Sequence, residues 1–282
     1  VLIAAHQQEH VSNMRGYKSM LAAALISLPV AASADGMTKS AVSTDTVYSF
    51  LTYSGLDFSK DSWDSYSGAI FALNRDLSKD GVLFRLQGSY GEYEYDSSPV
   101  LRHDAENWQG DVMIGYQWIR DRVEFALFAG VDFITHKITP FDASNPVSGH
   151  ETGFKTAGWL ASRTTTLGLP YYFLLDGSYS TAFETYYALG RLGLHRSGTI
   201  FGVEGWLLGD EDWNAQRLGG FVQWERSLRS DLLMDLTLSA GYQFSDEDEL
   251  CSCGRSSSSE GAYATVNFTF YFGDRRASRP LK

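Results

Sequence analysis

Nine ionisable residues recur at alternate positions along extended, half-apolar segments: Arg85, Asp111, Glu124, Asp132, Lys155, Asp176, Arg191, Glu204 and Arg217. Charges spaced in this way lie on one face of a strand, because successive side chains point to opposite faces. Two kinds of chemistry follow. A wall of hydrogen-bonding groups could line a pore or a path for saccharide, or the charges could pair with one another and fill an interior. The histidines offer a third. His103, His136 and His150 fall near strand ends, and Ser148-Gly149-His150-Glu151 brings a hydroxyl, an imidazole and a carboxylate close in sequence. Neighbours on an extended chain point opposite ways, however, so that run is not a triad by itself. No G-x-S-x-G elbow is present either, and a lipid-modifying hydrolase is the lesser alternative to a non-catalytic protein. Asp246-Glu247-Asp248-Glu249 lacks the spacing of a Ca²⁺ loop, and Cys251 and Cys253 are too few for a zinc site. A disulfide between these two would be strained, so both read as loop residues. Neither a cofactor nor a metal is called for.

The elements that position these charges are strands. Ala262, Ala264, Val266, Phe268, Phe270 and Phe272 alternate with Tyr263, Thr265, Asn267, Thr269 and Tyr271. Trp108, Val112, Ile114, Tyr116 and Trp118 alternate with Gln109, Asp111, Met113 and Gln117; residues 123–133 and 236–244 behave alike. Weaker alternation runs through 46–58, 65–74, 81–95, 152–163, 171–180, 184–195, 199–208 and 213–224, giving twelve segments. The even number fits a bacterial transmembrane barrel, with ten or fourteen strands as alternatives. Connections after even-numbered segments are mostly short (Arg120-Asp121, Arg196-Ser197, Ser227–Ser230, with Asp76–Asp80 and Thr164–Pro170 longer). Those after odd-numbered segments include Asp96–Asp104, Ile138–Glu151 and Ser245–Ser258. Short periplasmic turns and longer external loops are the outer-membrane pattern. Trp108, Trp118, Tyr171, Tyr187, Tyr242, Phe244 and Phe272 near strand ends read as interfacial girdles. The row Tyr90, Tyr93, Tyr95 with Trp63 and Trp108 reads as girdle before it reads as a sugar-stacking platform. The fold class expected is all-β, a transmembrane antiparallel up-and-down β-barrel of about 12 strands.

The first residues carry an address. Met14 reads as a start with residues 1–13 upstream; Arg15 and Lys18 precede the apolar run Met20–Leu28, and Ala32-Ser33-Ala34 is a small-x-small cleavage site. The run breaks at Pro29, short of the ~20 apolar residues that span a bilayer. The expected organisation is an upstream segment and cleaved signal over 1–34, a periplasmic segment over 35–45, the barrel over 46–272 and a basic periplasmic tail over 273–282. The chain carries a net charge of −11, and removing the basic leader makes it more acidic, which argues against nucleic acid as a partner. Outer-membrane lipid is the partner a barrel implies.

The block Asp80-Gly81-Val82-Leu83-Phe84-Arg85-Leu86, leading into Tyr90-Gly91-Glu92-Tyr93-Glu94-Tyr95, resembles BcsS, a cellulose-biosynthesis-associated family of bacteria. Gly115-Tyr116-Gln117 resembles it too. So does the stretch with Pro140, Phe141, Asp142, Asn145, Pro146, Val147, Gly149, Gly153, Phe154, Lys155 and Trp159. The resemblance extends over about residues 50–272. It implies an outer-membrane component linked to making or exporting cellulose (β-glucan), with cellulose and other cellulose-secretion proteins as partners. It implies no catalytic residue. Arg85, Asp142, Asn145 and Lys155 stand in the family-like blocks, and Pro140, Asp142, Asn145, Pro146 and Gly149 form a preorganised loop, since two prolines stiffen it. A small-solute or oligosaccharide channel is the other non-enzymatic reading.

Overall fold

The computed structural model describes residues 46–98, 100–245 and 260–275. The signal and N-terminal segments, Asp246–Glu249, Cys251, Cys253 and residues 276–282 lie outside the described residues. Twelve antiparallel strands follow one another: β1 (Thr46–Phe58), β2 (Ser62–Ala72), β3 (Gly81–Ser98), β4 (Leu101–Arg120), β5 (Val123–Thr139) and β6 (Gly149–Ser162). Then come β7 (Tyr171–Ser180), β8 (Tyr186–Arg196), β9 (Thr199–Gly209), β10 (Asn214–Arg229), β11 (Leu232–Ser245) and β12 (Gly261–Arg275). Each pairs with its sequence neighbour and β1 pairs with β12, so the sheet closes on itself. Closure leaves no unpaired edge, and it lets a sheet sit in hydrocarbon with every ladder satisfied internally. The twelve-stranded up-and-down barrel is therefore the fold. A one-turn helix α1 (Thr164–Leu167) and a 3₁₀ turn (Ala182–Glu184) interrupt two connections.

Alternation sets the two faces. On β4, Trp108, Val112, Ile114 and Tyr116 are exposed outward while His103, Ala105, Asp111, Met113 and Gln117 are buried inward. From Trp108 to Trp118 the strand rises about 33 Å, which a tilt of ~40° reduces to about 25 Å, the height of the apolar band of an outer-membrane barrel. Aromatic rings mark both rims of that band. Trp63, Tyr90 and Trp108 pack across β2, β3 and β4 with centroids 5.5 and 4.3 Å apart. At the opposite rim, Phe50 stacks between Phe272 at 4.6 Å and Phe71 at 5.6 Å, and Trp118 stacks on Phe125 at 4.3 Å. Tyr187 departs from the girdle expected of it: it faces the interior and donates to Asp176 at 2.9 Å.

We call the end where β1 begins and β12 finishes the near end. Its connections are two residues long at 121–122, 197–198 and 230–231, and eight long at 73–80 and 163–170. The far end differs from the expected pattern in one place. The segment 96–104, read from its polarity as a loop, is instead a continuation of β3 as far as Ser98 and of β4 from Leu101. Cross-strand pairs hold it: Glu94 with Arg102, and Tyr95 stacked on His103 at 4.9 Å. Pairing supplies the strand there without any apolar outer face, which is why polarity misled. β12 likewise runs to Arg275, into the segment expected to be tail.

The near-end half of the interior, on the β1–β6 side, is an apolar cluster of Ile70, Ala72, Leu83, Met113, Ala126, Phe128 and Ala157. Leu77 of the 73–80 connection tucks against it, held by Gln117, whose amide donates to the Leu77 and Lys79 carbonyls at 3.0 and 2.6 Å. Large inward rings need room against the wall, and glycine one or two strands away gives it. A Cβ on Gly68 would collide with the Tyr53 ring and, at 2.6 Å, with the Leu86 carbonyl; one on Gly219 would strike the Tyr263 hydroxyl. Gly68→Leu is therefore expected to lower the folded, heat-modifiable fraction on a semi-native gel, by overpacking worth about 1–3 kcal/mol or more. Gly88→Ala, with open space at the outer face apart from the Gln109 carbonyl at 3.7 Å, leaves that fraction unchanged. Equal gels for the two would overturn this account.

Candidate functional site

All nine charges singled out in the sequence sit on inward positions. Asp132 and Glu204 are almost wholly inaccessible; Arg85, Asp111, Lys155, Arg191 and Arg217 are buried, and Glu124 and Asp176 are half-buried. Most of them meet in a belt across the barrel that has two parts. In the first, Lys155 reaches from β6 past β5 to Asp111 on β4, Nζ to Oδ2 2.8 Å, with Asp132 at 3.8 Å. Ser180 donates to Asp132 at 2.8 Å and Gln109 does so at 3.2 Å. Arg85 stands 3.8 Å from Asp111, donates to the Tyr53 hydroxyl at 3.1 Å and bonds Gln87.

The second part spans β8 to β1. Arg191 Nε donates to Glu204 at 2.8 Å, and Ser239, Tyr263 and Trp206 donate to the same carboxylate at 2.9, 2.9 and 3.0 Å. Arg217 grips Asp57 in a two-pronged contact at 2.6 and 2.9 Å, donates to Gln243 at 2.7 Å and lies over the Tyr263 ring at 4.9 Å. Such forked, charge-assisted contacts fix geometry as well as charge. Four cations thus face four carboxylates (Asp57, Asp111, Asp132, Glu204) in the belt. Asp57, Tyr53 and Tyr263 had no strong signal: in β1 the alternation is blurred by Thr52, Ser54 and Gly55, and a tyrosine on a polar face is chemically mute until its partner is known. Asp176 accepts from Tyr187 and lies within electrostatic reach of both Arg85 and Arg191, between the two parts of the belt, whereas Glu124 lies towards the near end without joining it.

At the far mouth the 140–148 loop reaches from His103 on β4 to the 210–213 turn. His103 carries it: its Nδ1 bonds the Pro140 carbonyl at 2.7 Å and its Nε2 bonds Ser97 at 2.7 Å. Asp142, buried, accepts from the Ser144 amide and hydroxyl at 3.0 and 2.7 Å and from the Tyr95 hydroxyl at 3.1 Å. The Ser144 hydroxyl above all, with the Ser144 amide, Tyr95 and His103, holds the Asp142 carboxyl down at about 2. Asn145 reaches Asp212 of the 210–213 turn at 3.1 Å and receives the Val147 amide at 3.0 Å. Val147 then packs with Ile134, Ala182 and Phe183. Pro146 is exposed, and Gly149, at φ +116°, takes a backbone conformation that disfavours a side chain as the loop enters β6.

Among the described residues no hydrolytic constellation forms around these histidines. His136 faces inward onto Tyr93 at 3.0 Å, whereas His150, paired across strands with Thr135, is exposed. Asp142 lies 3.9 Å from His103 Nε2, the nitrogen Ser97 already occupies, so Asp142 cannot orient His103 as the acid of a triad does. Among the described residues no group of three metal-ligating side chains is close enough to hold an ion.

The model of the family described as cellulose biosynthesis protein BcsS matches residues 51–272. The chain belongs to the BcsS family. Membership ties this barrel to cellulose biosynthesis, and the family-like Arg85 and Lys155 prove to share one partner, Asp111, while Asp142 and Asn145 pin the loop. No curated protein matches the chain. Among solved structures it is similar to a KdgM porin (9% identity, 79% of this chain and 99% of that one, TM-score 0.39). It is also similar to LpxR from Salmonella typhimurium (12%, 79% and 100%, 0.42) and to a TodX deltaS2S3 mutant monoaromatic hydrocarbon channel (9%, 81% and 91%, 0.43).

Removing one partner of a buried pair strands the other. Lys155→Ala leaves Asp111 and Asp132 without their cation and is expected to cost about 3–5 kcal/mol, whereas Lys137→Ala, in an exposed pair with Glu106, costs less than about 1 kcal/mol. Urea unfolding of the detergent-folded barrel measures both, and similar midpoints would refute the belt's role.

The mouth should also respond to pH. Because the Asp142 pKa is depressed, its contribution is present above ~4 and is lost as pH falls towards about 2. Burial lifts Asp210, in the turn beside Asp212, to about 6, so ionising it costs folded stability and the mouth gains as pH falls from above 6 towards ~4. Amide-exchange protection in 140–148 is thus expected to rise as pH falls from above 6, to peak near pH ~4 and to fall below it, and Asp142→Asn should flatten the acid limb. Protection that rises monotonically with pH would contradict both assignments.

Proposed function

We propose that this protein is a non-catalytic outer-membrane barrel that assists cellulose (β-glucan) biosynthesis by promoting its secretion or its attachment at the cell surface. Family membership supports the link to cellulose, and the apolar band between aromatic rims supports the membrane. The N-terminal address expected over residues 1–34 supplies the export route. With short turns at the near end, that end faces the periplasm and the 140–148 loop faces outward.

The observation that carries the non-conduit form of this reading is the buried, ion-paired belt. Porin lumens conduct through a wetted constriction, whereas here Asp111, Asp132, Lys155, Glu204 and Arg217 are buried in mutual contacts and the 140–148 loop reaches across to the 210–213 turn at the far mouth. The barrel then acts as a membrane-seated platform for glucan and for other cellulose-secretion proteins. Deleting the gene and measuring retained and secreted cellulose tests it: altered partition between the two is expected, and unchanged amounts and texture would sink it. In planar bilayers the purified barrel is expected to show no conductance steps; regular steps would instead favour the small-solute channel.

A further inference from the structure

The outer wall of the barrel is not evenly covered. Across β5 to β9 it carries an apolar groove of about 800 Å³, floored by Gly158, Gly177, Ala188, Gly190 and Gly205. These five face outward by strand alternation, and the exposed Leu127, Leu160, Leu175 and Leu207 rise around them. Gly158 stands directly opposite Gly177, and Gly190 opposite Gly205, so the floor runs on from strand to strand. A Cβ on Gly190 would meet only the Leu175 side chain, at 3.6 Å, and one on Gly205 only the Arg217 carbonyl, at 3.7 Å, so the space above the floor is open.

The near ends of the same strands are basic. Arg122 precedes β5, Arg163 follows β6, Arg196 ends β8 and Arg226 lies near the end of β10; among the described residues none of the four is ion-paired. Three of them bond neutral oxygens: Arg122 donates to the hydroxyl of exposed Tyr171 at 3.2 Å, Arg163 to the backbone carbonyl of Asp121 at 3.3 Å, and Arg226 to that of Glu225 at 2.9 Å. Glu124 lies within electrostatic reach of Arg163, but on the inward face. The Arg163 amide donates to the Arg122 carbonyl at 2.9 Å, and Arg226 Nη1 lies 3.7 Å from the place of a Cβ on Gly198, in the turn after Arg196. The arginines are thus neighbours two by two. Elsewhere on the near rim cations meet carboxylates: Lys79 with Asp76 and Arg120 with Asp80, both at 2.8 Å, and Arg229 with Asp231 at 3.5 Å. Like charges side by side repel, and an anion brought to them relieves both.

We propose that this wall binds one anionic phospholipid of the periplasmic leaflet, with its phosphate on the arginines and an acyl chain in the groove. The inference rests on the membrane orientation given above and is independent of cellulose. Depth links the two features. From Arg196 to Gly190 β8 rises about 20 Å, which a tilt of ~40° reduces to about 15 Å, half of the ~30 Å hydrocarbon core. That is the reach of a chain belonging to one leaflet. Guanidinium forks match phosphate oxygens, and Tyr171 beside Arg122 suits the headgroup boundary. An acidic protein segment is the weaker match, because it has no use for a groove at the depth of the hydrocarbon.

Native mass spectrometry of the folded barrel in detergent tests this, with dioleoylphosphatidylglycerol as ligand and zwitterionic dioleoylphosphatidylcholine as control. One retained phosphatidylglycerol is expected, with phosphatidylcholine held more weakly. Replacing Arg122→Gln with Arg163→Gln, or Arg196→Gln with Arg226→Gln, should weaken phosphatidylglycerol about 25-fold, at roughly fivefold per cation lost. Gly190→Leu fills the groove and should weaken the dioleoyl lipid several-fold. It should leave dihexanoylphosphatidylglycerol, whose chains are too short to reach the groove, unchanged. Heat-modifiability on a gel confirms that each variant is folded. Equal retention of the two dioleoyl lipids, or folded arginine variants that bind as the parent does, would overturn the proposal. An arginine effect with no Gly190→Leu effect would mark a surface for acidic partners and overturn it as well. Loss of lipid preference alongside a clear deletion phenotype sinks the lipid site alone; lipid preference without a phenotype sinks the cellulose role alone.

Discussion

Everything inside this barrel answers to one constraint: a closed sheet with an apolar outer face sends every second side chain into a confined interior, and charges placed there must neutralise one another. Lys155 is where that requirement is most visible. Its ammonium bridges β6, β5 and β4 through Asp111 and Asp132, and without it two carboxylates would face each other in direct cross-strand register. The register Asp111↔Asp132 is tolerable only because a cation sits between them. Arg217 does the same work across three strands by clasping Asp57. The belt thereby ties the wall to itself through the lumen, which a hydrogen-bonded cylinder alone would not do.

The belt also divides the interior. Above it, His103, Asp142 and Asn145 draw the 140–148 loop down until Val147 joins an apolar patch with Ile134 and Phe183. Below it, the β1–β6 side is filled by the Leu83–Met113–Phe128 cluster, while Glu225 and Asp235 are paired across β10 and β11 with no ion pair to either among the described residues. Which carboxylates gain a cation is set by which strands face each other across the barrel.

This explains what the sequence could and could not reveal. Period-2 alternation depends only on neighbours along one strand, so the twelve strands and the inward placement of Arg85, Lys155 and Arg191 were legible from residue order. Partnerships across the lumen were not. Nothing local to Arg217 points to Asp57, 160 residues away, and nothing near Glu204 points to Tyr263. The β3–β4 extension was missed for a related reason: Glu94 and Arg102 are polar on the outer side because that part rises beyond the apolar band, so polarity there reports surroundings and not backbone state. Tyr187 shows the converse, an aromatic near a strand end whose face only the register decides.

Ion pairs held on eight strands, β1, β3 to β6 and β8 to β10, tie the wall together from inside. A change at one of them therefore reaches the others. Losing Lys155 strands Asp111 and Asp132 together, and the balance around Arg85 shifts with them, because Arg85 shares Asp111 with Lys155. The loop pinned by His103, Asp142 and Asn145 stands on that fixed wall, so the surface presented at the far mouth is held in place by polar contacts to the strands and turns around it.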